Sequence, residues 1–378
     1  IYRSSLPDVK QLAKAAEKLQ RTCQEFRLLF NYDTERGNWR EKCQQTHFFQ
    51  KYAGLKVDLD FLYQVIKLCV SRNEAIDSCF DRAVSLLGQY EVMANVDSLG
   101  MSFWYETTPR HVVLHKTPLT VSEKFQLYIK ESGAGWIFTS ATLTVDNSFE
   151  HFAKHLGLQG ASQLLLESPF DYQQQSQLIV PRYLPPANDK DRARSLAELA
   201  IPLISASKGA CFMLFTSYRV MNQVAEILSN SIDNPLLVQG QIAKRTLLEK
   251  FVEDDSAILL ATASFWEGVD VRGDKLRCVI IDKLPFASPD DPLLQARCED
   301  VKRQGLDPFA KIQLPQAVIA LKQGVGRLIR DVSDRGILVI CDDRLVNRPY
   351  GGTFLKSLPD MKRSRDLVKA AKFLEDTA

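Results

Sequence analysis

The stretch CFMLFTSYRVMNQVAEIL, residues 211–228, decides the fold. Cys211 to Phe215 is a continuous apolar run, too short for a helix core and bounded by polar residues, which predicts a strand buried on both faces. It empties into Thr216, Ser217 and Tyr218, and from Arg219 to Leu228 the apolar residues recur at helical spacing. Strand, hydroxyl turn and helix then repeat along the chain. Further strands are predicted at Trp136 to Thr139, Gln177 to Val180, Leu236 to Val238, Ile258 to Ala261, Arg277 to Asp282 and Ile337 to Cys341. Further helices are predicted at Leu196 to Ser205, Arg245 to Val252, Leu293 to Arg303 and Gln316 to Ile329. Apolar strands alternating with helices imply an α/β fold, a parallel sheet with helices on both faces. Functional residues are then expected in the loops at the carboxyl ends of the strands.

Upstream of this region the pattern changes. Val9, Leu12, Ala16, Leu19, Cys23, Phe26 and Phe30 recur every three or four residues and predict a helix from Pro7 to Asn31. Gly37 and Gly54 read as breaks around a second helix, Trp39 to Tyr52, and Leu59 to Leu87 as a third. Met101 to Thr107 and His111 to His115 are rich in β-branched and aromatic residues and read as strands.

Composition narrows the class. With 45% apolar residues, 25% charged residues and a net charge of +2 over 378 residues, the chain has too much core material for disorder and too little Gly for a fibre. No apolar run approaches the roughly twenty residues of a membrane-spanning helix. The 8 cysteines are scattered without a Cys-x-x-Cys pair, which points to reduced core thiols and a cytoplasmic location rather than a disulfide framework or an iron–sulfur ligand set. No leader precedes the first helical pattern, and the chain reads as a piece of a longer one. Residues 297–378 carry a net +5, compatible with nucleic acid without demanding it.

Four segments carry chemistry: FTSATL (138–143), LFTSY (214–218), FWEGVDVRG (265–273) and QGVGRLIRD (323–331). Hydroxyls and free N–H groups at a helix start suit phosphate oxygens, although simple helix capping is the plainer reading of that segment taken alone. Two carboxylates flanking a flexible Gly suit a ribose, a metal-bound water or an arginine. Gln323, Arg327 and Arg330 stand at i, i+4 and i+7, so a helix through them puts one amide and two guanidinium forks on one face, matching a triphosphate. Ion pairing to Asp331 and Asp334 on a surface helix is the plainer reading of that pair.

Taken in this order, the four segments resemble motifs III, IV, V and VI of superfamily 2 helicases, specifically the DinG/XPD-like iron–sulfur branch. The resemblance spans about residues 136–345. It implies a RecA-like second motor domain over 147–378, a helical Arch-like domain over 1–108, and a remnant of the first motor domain with motif III over 109–146. It also implies roles. Ser140 and Thr142 couple nucleotide state to DNA grip, and Thr216, Ser217 and Tyr218 touch the DNA. Glu267, Gly268, Asp270 and Gly326 belong to the nucleotide site, and Gln323, Arg327 and Arg330 face the γ-phosphate. The activity implied is ATP-dependent 5′-to-3′ translocation on single-stranded or forked DNA in repair or replication. A replisome partner, the chi subunit of DNA polymerase III, is implied as well, with the terminal helix 365–377 as its expected docking site; that helix equally suits docking on its own domain.

Departures from the family pattern matter as much. No Gly-x-x-x-x-Gly-Lys-Ser/Thr and no Asp-Glu-x-His occur, so the phosphate nest and the Mg²⁺ ligands are missing. Half an ATP site is expected, with the 4Fe–4S cluster in a preceding segment and no metal site in this one. A non-catalytic module that binds a replication protein or single-stranded DNA is the alternative, and motifs III to VI barely separate DNA from RNA. Two His pairs, 111/115 and 151/155, lack a third ligand and read as structural. The aromatics Trp39, His47, Phe48, Phe49 and Tyr52, interleaved with Arg40, Lys42 and Lys51, suit base stacking, but helix-core packing explains them better.

Overall fold

The computed structural model describes residues 10–98, 100–262, 265, 275–289 and 291–376. They divide into two compact units, one of residues up to 121 with 288–308, the other of 122–287 with 309–378.

In the first unit, helices Lys10–Arg27, Thr46–Lys67 and Glu74–Ala94 pack around Leu12, Ala15, Val65, Ile66, Ile76 and Ala83. A second core joins Phe26, Phe30, Trp39, Phe48 and Tyr52 to Phe103 and Tyr105 of a small antiparallel sheet. That sheet runs β1 (Arg36–Asn38), β2 (Met101–Thr107) and β3 (Val112–Pro118). Trp39 is fully buried and its indole N–H donates to the Met93 carbonyl at 2.8 Å. Trp39, Phe48 and Tyr52 are thus core aromatics, while His47 and Phe49 face solvent.

Two helix boundaries differ from expectation. Gly54 lies inside Thr46–Lys67, because its cost of about 1 kcal/mol in a helix is smaller than the packing gained by the turns on either side. The break falls instead at Gln45, whose backbone is extended. The expected helix Leu59 to Leu87 is two helices, since Ser71 takes a left-handed φ of 69° and Asn73 caps the next helix by accepting the Ala75 N–H. The hairpin β2–β3 pairs Thr107 with Val112 and crosses the boundary expected at residue 108, and helix Pro292–Arg303 belongs to this unit rather than to the parallel sheet.

The second unit is a seven-stranded, wholly parallel sheet in the order β10-β4-β9-β8-β5-β7-β6. Its strands are β4 (Ser176–Ile179), β5 (Cys211–Phe215), β6 (Leu236–Val238), β7 (Ile258–Thr262), β8 (Cys278–Ile281), β9 (Gly336–Ile340) and β10 (Lys362–Ser364). Every residue of β5, β7, β8 and β9 is buried, as continuous apolar runs require. Alternation divides each strand between two cores. Phe212 and Leu214 face the helices Lys244–Glu253, Leu314–Val325 and Gly351–Ser357. Cys211, Met213 and Phe215 face Arg192–Ala206, Tyr218–Ser229 and Leu367–Asp376. Gly209 opens β5 at φ 91°, where a Cβ would stand 2.1 Å from the Ser256 carbonyl oxygen.

Residues 136–139 form no strand, and Ile137 is 88% exposed. A lone apolar run becomes a strand only where a neighbour supplies ladder partners, and none of the described residues does so. The edge strand β10 went unread because Lys362, Arg363 and Ser364 carry no apolar signal. The terminal helix lays Ala370 and Leu374 into the sheet's own core, so its buried face is already used, while Val368 is exposed. Among the described residues no helix is long and apolar enough to cross a membrane.

Candidate functional site

The carboxyl end of β5 carries the first group of site residues. Ser217 caps the following helix by accepting the Val220 N–H, so the capping reading holds for that hydroxyl. Thr216 turns the other way. Its backbone N–H donates to Asp282 Oδ1 at 3.1 Å and its hydroxyl to Oδ2 at 3.3 Å. Asp282 follows β8, the strand paired with β5. The chain leaves β5 toward the face of Tyr218–Ser229, whereas the helix Leu314–Val325 that precedes β9 lies on the opposite face. The carboxyl ends of β5 and β8 therefore flank a topological switch point, where open α/β sheets bind ligands.

Asp282 is 4% exposed, and burial pushes its carboxyl up to about 6 against the lowering effects of Lys283, Arg192 and the Thr216 N–H. Arg192 reaches the same edge from the helix it begins and donates to the carbonyls of Pro185, Asp282 and Cys341. Tyr218, half exposed, accepts a 2.6 Å hydrogen bond from the Gln239 amide. The carbonyl of that amide takes the Thr262 N–H at 2.6 Å and the Thr262 hydroxyl at 3.0 Å. One Gln side chain thus ties the ends of β6 and β7 to the tyrosine after β5. Farther along the edge, Asp342 accepts from the Leu284 N–H and from Arg344. Burial raises the Asp342 carboxyl, but those bonds and the Arg344 charge outweigh it and hold it below its ordinary value.

The arginine segment sits elsewhere. Helix Leu314–Val325 stops before both arginines, so Gln323 lies on the helix while Arg327 and Arg330 lie in the loop beyond. The expected single helical face through all three is not formed. Gly326 ends the helix, Leu328 and Ile329 turn into the sheet core, and Asp334 captures the N–H groups of Arg330 and Asp331. This loop enters β9 at its amino end, and in a parallel sheet that is the edge opposite Thr216 and Asp282. The expectation that all site residues share the carboxyl edge is thereby corrected, because a crossover helix must deliver the chain to the amino end of the next strand.

Ser140 is exposed and Thr142 half-buried, and they are bonded to each other, hydroxyl to hydroxyl at 3.1 Å, in a local turn. The segment just beyond them docks on the sheet domain. Lys322, next to Gln323, donates to the Thr144 carbonyl at 2.9 Å and to its hydroxyl at 3.1 Å, and burial lowers the Lys322 pKa. Glu267, Gly268 and Asp270 lie outside the described residues. The cysteines do not fit an iron–sulfur cluster. Among the described residues no three His, Cys, Asp or Glu side chains converge on a metal position, and Cys211, Cys278 and Cys341 are buried in the sheet.

Sequence reasoning missed Asp282, Gln239 and Gln175, and took Asp334 as an ion-pair partner on a surface helix rather than as the acceptor of two main-chain N–H groups. Asp282 closed a predicted strand and was findable as an acid at a strand end. Gln239 and Gln175 acquire meaning only from pairing between distant segments.

Residues 200–361 match the family described as helicase C-terminal domain. The matched span holds strands β5 to β9 of the parallel sheet. The chain is 50% identical over 377 residues to the ATP-dependent DNA helicase YoaA of Haemophilus influenzae, covering 100% of this chain and 59% of that relative. It is 37% identical over 265 residues to the ATP-dependent helicase DinG of Mycobacterium tuberculosis, covering 68% of this chain and 40% of that one. A solved structure of XPD aligns with a TM-score of 0.53 at 16% identity, covering 94% of this chain and 69% of that one, a likeness of fold. The resemblance carried by the four motifs is borne out, as is the α/β fold. The chain spans about three-fifths of the length of the YoaA relative.

Proposed function

We propose that this chain is the C-terminal part of an ATP-dependent DNA helicase that couples ATP hydrolysis to 5′-to-3′ movement along single-stranded DNA in repair or replication. The observation that carries this reading is the two-edged helicase C-terminal domain. A switch-point crevice presents Thr216 and Tyr218, and an anchored loop carries Arg327 and Arg330. Single-stranded DNA runs over the first edge, with backbone phosphates meeting the turn after β5 and Tyr218 offering an aromatic face to a base. Arg327 and Arg330, with Gln323, face the γ-phosphate and stabilise the charge that spreads over it during transfer. Gly326, Glu267, Gly268 and Asp270 complete the nucleotide side, and Ser140 and Thr142 relay its state to the DNA.

ATP, Mg²⁺ and a 4Fe–4S cluster belong to the complete protein. The phosphate nest, the metal ligands and the cluster cysteines belong to the part of the protein outside this chain, the unit that runs to residue 121 holds the Arch, and residues 122–146 hold the remnant of the first motor domain. Mg²⁺, when bound, would supply neutralising charge at the phosphates, and Arg327 and Arg330 of this chain would supply the opposing cations. The partner is forked or single-stranded DNA, together with the chi subunit of DNA polymerase III through the solvent face of helix Leu367–Asp376, where Val368 and Lys369 are exposed. Matched DNA and RNA duplexes given to the complete protein test the substrate: unwinding of DNA alone is expected, and equal unwinding of RNA removes the DNA assignment. Deletion of 367–376 is expected to abolish chi binding in a pull-down with purified chi, and retained binding removes that docking site.

A further inference from the structure

The loop that carries Arg330 is fixed by two buried polar side chains from either side of β4 and β9. Asp334 is 4% exposed, and its Oδ2 accepts the Arg330 N–H at 2.7 Å and the Asp331 N–H at 2.8 Å. Gln175 is 3% exposed and immediately precedes β4. Its Nε2 donates to three carbonyls of the same loop, Asp331 at 2.9 Å, Val332 at 3.2 Å and Asp334 at 3.1 Å. The loop is therefore held through its main chain, donors on one side and acceptors on the other. On either flank Leu328 and Ile329 are pinned in the core, and Gly336 lets β9 pass so near that a Cβ there would lie 2.6 Å from the Arg277 carbonyl oxygen. Two features exceed what holding a surface turn requires. Asp334 Oδ1 is buried with no hydrogen-bond partner among the described residues, a costly state for a carboxylate oxygen. The Asp334 charge also favours the protonated form of Arg330, opposing the burial that lowers it.

We infer that Asp334 and Gln175 are positioning residues for Arg330, setting where its guanidinium meets the γ-phosphate. This rests on the proposed role of Arg330. An arginine that acts only when charge develops must be aimed beforehand, and a misplacement of about 1 Å costs on the order of a hundredfold in rate. A long side chain on a loose loop is poorly aimed; on a loop fixed by five hydrogen bonds from two buried side chains it starts from a defined point.

The test uses the complete protein and compares Asp334→Ala, Asp334→Asn, Gln175→Met and Arg330→Ala. DNA-stimulated ATP hydrolysis is read as kcat and KM separately, alongside single-strand affinity and thermal melting. Asp334→Ala and Gln175→Met are expected to lower kcat about tenfold or more, with KM for ATP and DNA affinity changed less than about twofold. Asp334→Asn, which keeps an acceptor for both N–H groups, is expected to recover most of the loss. In an Arg330→Ala background the Asp334→Ala change is expected to add no further loss. Wild-type kcat in folded Asp334→Ala and Gln175→Met overturns the inference, as does a loss that appears equally in DNA affinity. Should Asp334→Ala fail to fold, Gln175→Met decides alone, since it leaves the carboxylate in place. Wild-type turnover in Arg330→Ala instead removes the reading of Arg330, and the positioning role falls with it.

Discussion

The two edges of the parallel sheet hold their loops in opposite ways. At the carboxyl edge the side chains themselves are the anchors: Thr216 bonds Asp282, and Tyr218 bonds Gln239, which bonds Thr262. At the amino edge the anchors grip the main chain of the loop that carries the arginines, Asp334 the N–H groups and Gln175 the carbonyls. Substitutions at the first edge therefore disturb structure and function together. At the second edge they separate.

Arg330→Ala gives the largest effect. In the complete protein unwinding and DNA-stimulated ATP hydrolysis are expected to fall by about 10³-fold or more, while urea unfolding shifts less than on Asp334→Ala, because the main-chain bonds that hold the loop survive. A loss of stability comparable to that of a buried residue breaks the contrast between the edges.

Asp282→Asn tests the other edge through pH. The folded carboxyl titrates at about 6, above its ordinary value, so the folded state holds the proton more tightly. Its contribution to stability is present at low pH and is lost as pH rises from about 4 to about 6. The variant is expected to lack that decline, on the order of 3 kcal/mol, in chemical unfolding measured across the window. Identical pH profiles contradict it.

Thr216→Val is expected to cost about 2 kcal/mol at pH 7, where the acceptor is charged, and to weaken single-strand binding. Tyr218→Phe, which loses only the exposed Gln239 bond, is expected to cost at most about 1 kcal/mol while its ring still stacks. Should Tyr218→Phe weaken single-strand binding more than Thr216→Val, as read by fluorescence anisotropy, the order of importance along that edge is reversed.

Much of this architecture was legible because buried parallel strands leave an unmistakable signal. CFMLF at 211–215 reads as a strand without its neighbours, whereas β10, Lys362 to Ser364, does not. Trp136 to Thr139 carried the same apolar signal as β5 and still formed no strand, since pairing depends on a partner that composition cannot supply. The site divided along the same line. Thr216, Ser217, Tyr218, Arg327 and Arg330 were visible as local motifs, but Asp282, Gln239 and Gln175 act across as many as 159 residues of sequence separation. The helical face drawn through Gln323, Arg327 and Arg330 failed because Gly326 and the Asp334 turn outweigh helical periodicity.

We propose that this chain supplies the second half of an ATP-driven motor acting on DNA, with half of its ATP site. DNA-stimulated ATP hydrolysis, measured side by side for this chain and for the complete protein, tests it most directly. The account predicts turnover by the complete protein alone, abolished there by Arg327→Ala or Arg330→Ala. Turnover by this chain on its own, lost on Arg327→Ala, would contradict it and place a full phosphate site within these residues.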